Sequence, residues 1–260
     1  MKNEIMKYAR RDLIWVMVAM VLVTRGGMLV LEPPRIQAAE PQVFGLNTGT
    51  DAPYTTPERT GFLDLVVTEM FSRMGLQGRV NRYVGASARA LQMSNSGEDD
   101  GEALRIGGLE KKFTNLMPIP ESIISNDFVA YSRKGMVPIR DWNGLKPHSV
   151  TYLLGWQIFK SNVKDAKNVT EVRGVDQLFS LLKLGRVDVS LYEKWQGLYQ
   201  VRQLKMEVMV HDPPLASIPM FMYLHKKHQA LVPKAAQALA EMKRDGTYQK
   251  IFDKTLKPLL

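Results

Sequence analysis

One short pattern occurs twice, with its glycines at positions 97 and 185, and it restricts the fold more than any other feature of the chain. A helix-like segment ends at glycine, and three residues later an aspartate leads into a strand. The first copy runs from Ala88 through Gly97 and Asp100 to Ile106, and the second from Val175 through Gly185 and Asp188 to Glu193. In the second copy Leu178, Leu181, Leu182 and Leu184 predict one apolar helical face, and Gly185 suits the left-handed turn that closes a helix. Two such units, one in each half of 260 residues, predict two similar α/β lobes. Two lobes imply a cleft, and clefts between domains are where small ligands bind.

The N-terminus reads as a targeting segment. Lys2, Lys7, Arg10 and Arg11 precede an apolar run from Leu13 to Val23, too short for a membrane span of about twenty residues but right for a secretory signal. Ala38-Ala39 predicts processing there, so residues 1–39 are taken as a signal peptide and the mature chain as periplasmic, with a retained membrane anchor as the alternative. The chain has no cysteine, which removes disulfides, thiolate catalysis, cysteine-bearing zinc sites and acyl anchoring through a cysteine. The leader carries three of the nine net positive charges, and the remaining Lys and Arg are scattered without an aromatic-interleaved stripe. That pattern argues against nucleic-acid binding.

Strands alternate with helices along the rest of the chain. Val43–Leu46 reads as a buried strand, and Phe62, Leu65, Val66, Met70, Phe71 and Met74 mark a helix stopped by Gly75. A strand over Gln77–Tyr83, a helix from Ser87 and a strand over Ala103–Ile106 follow, then a loop over 107–120. Further strands are predicted at Asp127–Ser132, Ser149–Leu153, Val169–Arg173, Met206–Val210 and Ile218–Leu224. Helices are predicted from Trp156 and Val175, and over the amphipathic segment from Val232 to Arg244, with a last helix after Gly246. This alternation calls for sheets covered by helices.

Enzyme signatures do not appear. There is no H-E-x-x-H, G-x-S-x-G, P-loop or G-x-G-x-x-G, and His148, His211, His225 and His228 are dispersed. Asp99 and Asp100 are adjacent, so a strand would turn them to opposite faces. No metal, cofactor or catalytic activity is expected on these grounds.

The motifs do resemble a known family. Gly61-Phe-Leu-Asp64, with its helix ending Phe71-Ser-Arg-Met-Gly75, is similar to the opening of bacterial extracellular solute-binding proteins of family three, the polar amino-acid type. Gly185-Arg-Val-Asp-Val-Ser-Leu-Tyr-Glu193 resembles that family's G-R-x-D segment, and Met242-Lys-Arg-Asp-Gly-Thr247 its last-helix signature. The resemblance spans about Val43 to the C-terminus. It implies a two-lobed periplasmic-binding-protein type II fold, each lobe a mixed sheet flanked by helices, joined by a two-stranded hinge. Lobe one would be residues 40–130 and 221–260, and lobe two 131–220. The implied function is capture of an amino acid or related carboxylate by a monomer, for delivery to an ABC permease or for signalling through a membrane sensor. A periplasmic enzyme on the same scaffold, of the cyclohexadienyl dehydratase kind, is the alternative.

The family holds a ligand carboxylate with an arginine in lobe one and an amine with an acid in lobe two. Counting from Asp100 places Lys111 where that arginine is expected, and lysine is a point charge without the bidentate fork. Arg105 is the other anion contact, with a salt bridge inside lobe one as its alternative. Glu193 stands where the family commonly has aspartate. Tyr54 and Trp156 are placed to sandwich a ligand, although Trp156 could equally pack within its lobe. Gly155 is placed to present backbone amides. Asp100 and Asp188 are expected to brace the strand starts.

Overall fold

The computed structural model describes residues 42–260, so the predicted leader lies outside the described residues. In chain order the elements are β1 (Val43–Thr48), α1 (Phe62–Arg73), β2 (Gln77–Arg82), α2 (Ser87–Ser96), β3 (Gly101–Ile106) and β4 (Leu116–Ser132). They continue with β5 (Ser149–Leu153), α3 (Gln157–Asn162), β6 (Asn168–Val172), α4 (Val175–Lys183), β7 (Val189–Glu193), α5 (Lys194–Gln203) and β8 (Met209–Val210). The chain ends with β9 (Ala216–His225), α6 (Val232–Arg244) and α7 (Thr247–Thr255).

The strands form one sheet in the order β2-β1-β3-β9-β4-β7-β5-β6, with β8 pairing β4. β4 and β9 hold the two halves together. They run antiparallel from Leu116 opposite His225 to Phe128 opposite Ala216. β9 is joined to β3 from Met220 onward, and β4 is joined to β7 only from Phe128 onward. Between those points Ser125–Asp127 faces Ser217–Pro219 as two strands alone, a waist between two wider sheets. This long β4 replaces part of the loop expected over 107–120. Pro118 and Pro120 disguised it, because proline cannot donate to a strand ladder and reads as a breaker. The pairing register slips between Pro118 and Ser122, which accommodates them.

Each half has its own core. In the first, Phe62, Val66, Met70 and Phe71 of α1 meet Leu46 of β1 and Leu239 and Met242 of α6. In the second, Leu178, Phe179 and Leu182 of α4 pack on Tyr131 and Tyr192 on one side of the sheet, while Phe159, Val150 and Leu191 pack on the other. α4 ends at Lys183, so Leu184 leaves the predicted apolar face and is exposed, and Phe179 takes the buried place instead.

The repeated unit brings the same clamp to both halves. Gly97 and Gly185 both take left-handed conformations, with φ of 84° and 68°. The Gly45 N–H then donates to Asp100 Oδ2 at 2.9 Å, while the Asp100 N–H donates back to the Gly45 carbonyl at 2.9 Å. In the second copy the Ser149 N–H donates to Asp188 Oδ2 at 2.8 Å and the Asp188 N–H returns a bond to the Ser149 carbonyl at 2.9 Å. Each aspartate thus ties the start of its own strand to the start of the first strand of its half.

The Asp188 carboxyl lies below the ordinary 3.8, chiefly because Ser149 donates to it from both hydroxyl and backbone. A depressed pKa contributes stability that is present above 3.8 and lost as the pH falls through the folded-state value. Asp188→Ala should therefore cost about 1–3 kcal/mol in urea unfolding at pH 7. The gap to the wild type should close as the pH falls below 3.8; a gap independent of pH would count against the clamp.

Candidate functional site

β1, β2 and β3 are parallel, as are β5, β6 and β7. The registers of β3 on β9 and of β7 on β4 turn the C-terminal ends of both sets toward the waist. The loop that follows β1 meets the end of β7 there. Tyr54, from the loop after β1, donates its hydroxyl to Glu193 Oε1 at 3.0 Å, and Glu193 is the last residue of β7. The same hydroxyl lies 3.3 Å from Oδ1 of Asn126, which is in the waist itself. One phenol therefore links the first half, the waist and the second half.

The opening motif exists to place that phenol. The Phe62 N–H donates to the Pro53 carbonyl at 3.0 Å and the Leu63 N–H to the Tyr54 carbonyl at 2.8 Å. A Cβ on Gly61 would lie 2.4 Å from the Tyr54 carbonyl oxygen, so only glycine allows the loop and helix to approach this closely. Asp64 accepts from the Thr56 N–H at 2.9 Å and the Gly61 N–H at 3.1 Å, closing the loop onto the helix start. The Phe62 ring sits 6.2 Å from that of Tyr54 and is held edge-on by Tyr248 and Phe252 of α7, at 5.5 and 6.3 Å. The two family-like motifs at opposite ends of the chain thus meet. Arg73 fastens them further, through ion pairing to Asp245 at 2.6 Å and a hydrogen bond to Thr247 at 3.0 Å.

Glu193 is completely buried, and no cation pairs with it among the described residues. Burial pushes its carboxyl up to about 7, against the lowering effect of donors at Gln196, Trp195 and Tyr54. Its Oε2 accepts the Gln196 N–H at 2.9 Å, making it the N-cap of α5. The sequence reading passes over α5, because its exposed positions are polar and its apolar face is narrow. The helix then turns back on the first half, where the Trp195 ring stands 5.3 Å from that of Phe252. Burial also raises the Tyr54 phenol well above its ordinary value, with the neighbouring Glu193 adding to the effect.

The other predicted site residues are placed as follows. Trp156 stacks parallel on Phe159 at 5.8 Å and lies 4.9 Å from Tyr192, the neighbour of Glu193. Gly155 is exposed, with φ of 90°, and precedes a helix of only six residues. Arg105 pairs with the buried Glu102 at 2.6 Å and donates to the Ser87 hydroxyl at 2.6 Å and carbonyl at 2.9 Å, bracing the start of α2. Lys111 lies exposed in the turn after β3. The structure brings Tyr54 and Glu193 into direct contact. Asn126, which completes their junction, has no signal in the sequence, since its position depends on the pairing of β4 with β9.

No known family model matches the sequence. An uncharacterized protein of Shewanella oneidensis is 25% identical over 198 residues, covering 72% of this chain and 73% of that protein. An ancestral arginine-binding protein bound to arginine superposes with a TM-score of 0.66 at 23% identity, over 82% of this chain and 97% of that one. A histidine kinase sensor domain with similarity to periplasmic binding proteins does so with a TM-score of 0.65 at 15% identity, over 82% and 95%. The chain has the two-lobed type II periplasmic-binding-protein fold, the architecture that its resemblance to family three implies. Among the described residues no helix is long and apolar enough to cross a membrane.

The Tyr54–Glu193 bond has a measurable signature. A carboxyl raised from 4.5 to about 7 contributes stability that is full below 4.5 and lost as the pH rises through 7. Glu193→Gln never ionises, so it should match the wild type near pH 4 and exceed its thermal stability at pH 8. Tyr54→Phe removes a donor to the carboxylate and should move the Glu193 pKa further up in a carbon-13 NMR titration. An unchanged value would show that the phenol does not serve the carboxylate.

Proposed function

We propose that the chain is a periplasmic binding protein that captures a small polar solute, an amino acid or related carboxylate, between its lobes. The lobes are residues 40–130 with 221–260, and residues 131–220, opening and closing about the waist. The observation that carries this reading is Glu193: a buried carboxylate without a counter-charge, held by backbone amides and by a phenol from the opposite lobe. A cationic group of the solute would replace the Tyr54 hydroxyl at Oε1 and form a charge-assisted bond shielded from water. Trp156, beside Tyr192, would form an apolar wall, with Gly155 at the mouth. Lys111 is free to reach a carboxylate as a point charge, whereas Arg105, tied to Glu102 and Ser87, would act by holding the first-lobe wall in place. The arginine-bound structural neighbour supports a cationic solute, and delivery to an ABC permease or a membrane sensor would follow capture.

A thermal-shift screen of amino acids and organic acids tests the reading. A solute at a hundred times its Kd should stabilise the protein by about 2.7 kcal/mol. The hit should carry an amino or guanidinium group, and Glu193→Gln should abolish its shift. Because the cation prefers the ionised carboxylate, affinity should rise between pH 6 and pH 8 as Glu193 ionises near 7. Affinity that stays flat across this range would remove Glu193 from the site.

The same residue favours one second reading. A buried carboxyl near 7 is matched to general acid–base work, so a dehydratase-like enzyme on this scaffold would use Glu193. Turnover of a cyclohexadienyl acid by the wild type, lost in Glu193→Gln, would select it over simple binding.

A further inference from the structure

We propose that the outer edge of β2 is a docking surface for an extended acidic segment of a partner protein, taken up as one more strand of the sheet. β2 ends the sheet on the side of the first lobe and pairs with β1 alone. Among the described residues, no backbone hydrogen bond other than those to β1 reaches its six residues. Its outward row of N–H and C=O groups is therefore open, the template that strand addition uses. Two adjoining cavities follow this edge. One, of about 550 Å³, is lined by residues 79–83, and the other, of about 400 Å³, by residues 76–80. Consecutive strand residues turn to alternate faces, so cavities that touch all of them run along the edge and not over one face. Thr56, Pro57 and Arg59 form the far wall of the first, and Arg59 with α1 and the start of β1 that of the second.

The groove has one sign of exposed charge. Arg59 and Arg79 are exposed, and neither has an ion-pair partner among the described residues. Arg82 also lines it but is neutralised by Asp51 at 2.5 Å. Asp64 is the one acid on its walls, and it is buried, with Oδ2 accepting the Thr56 and Gly61 amides. Glu58 is exposed in the same turn and lines neither cavity. That turn is fixed by the Thr60 N–H, which donates to the Thr56 hydroxyl at 3.0 Å, and it holds Arg59 left-handed at φ 57°. Charges on an edge guard it against chance pairing. Here the guard repels a basic strand and admits an acidic one. An open backbone along the whole strand suits a chain better than a compact anion.

Isothermal titration of the full-length protein with a synthetic peptide of alternating glutamate and threonine, matched in length to the six residues of β2, tests it. The peptide should give saturable heat, and amide hydrogen exchange should slow over residues 77–82. The same peptide with lysine in place of glutamate should not bind. A version with every amide N-methylated keeps the charge but has no donors for a ladder, and it should lose binding too. Arg79→Glu turns an attraction into a repulsion and should weaken binding by about tenfold or more; Arg59→Glu should do the same. Both side chains are exposed, so each variant should unfold at the wild-type temperature. The proposal is overturned if the acidic peptide gives no saturable heat, or if the lysine peptide binds as well. It is also overturned if the N-methylated peptide binds equally, which would leave only an anion site. Unchanged affinity in both arginine variants, or slowed exchange confined to residues outside β2, would overturn it as well.

Discussion

The hydrogen bond from Tyr54 to Glu193 is the contact on which the arrangement of the two lobes depends. A carboxyl group buried without a cation is costly unless other donors satisfy it. Here the amides at the start of α5 and one phenol do so, and they offset part of the rise in pKa that burial imposes. Because the phenol comes from the first lobe and the carboxyl from the second, the same bond that satisfies Glu193 draws the lobes together. Asn126 beneath it fixes the junction at the waist, where the sheet is only two strands wide.

Much of the first lobe serves to hold that phenol still. Gly61 lets the loop lie directly on α1, Asp64 pins its backbone, and the Phe62–Tyr248–Phe252 cluster backs it. Trp195 joins the cluster from the other lobe through Phe252, so the helix capped by Glu193 and the helix that carries Phe62 share one set of aromatic contacts. Within each lobe, the aspartate clamps of Asp100 and Asp188 and the Glu102–Arg105–Ser87 link tie neighbouring elements together, while the waist is only two strands wide.

The helix–glycine–aspartate–strand repeat was readable because it is local. A left-handed glycine, an amphipathic run and an aspartate at a strand start each act within a few residues, and both copies carry one clamp geometry. Phe62 and Met70 were legible as core for the same reason of spacing, whereas Leu65, expected beside them, is only half-buried. β4 was hidden by its two prolines, and α5 by its polar surface. The roles of Arg105 and Glu193 could be narrowed from residue type but not assigned. An arginine on a strand contacts ligand or neighbour depending on what lies across from it, and here that is Glu102 and Ser87.

By itself, then, the sequence determined the alternation of elements, the two-lobed plan and the candidate acid at the end of β7, since these follow from periodicity, turn chemistry and short motifs. Only the tertiary structure decided that Tyr54 meets Glu193 and that Asn126 lies beside the Tyr54 hydroxyl. Those meetings join residues far apart in the chain through the antiparallel pairing of β4 with β9. Register across such a pair is set by packing and backbone hydrogen bonding over the whole sheet, which no local stretch of sequence encodes.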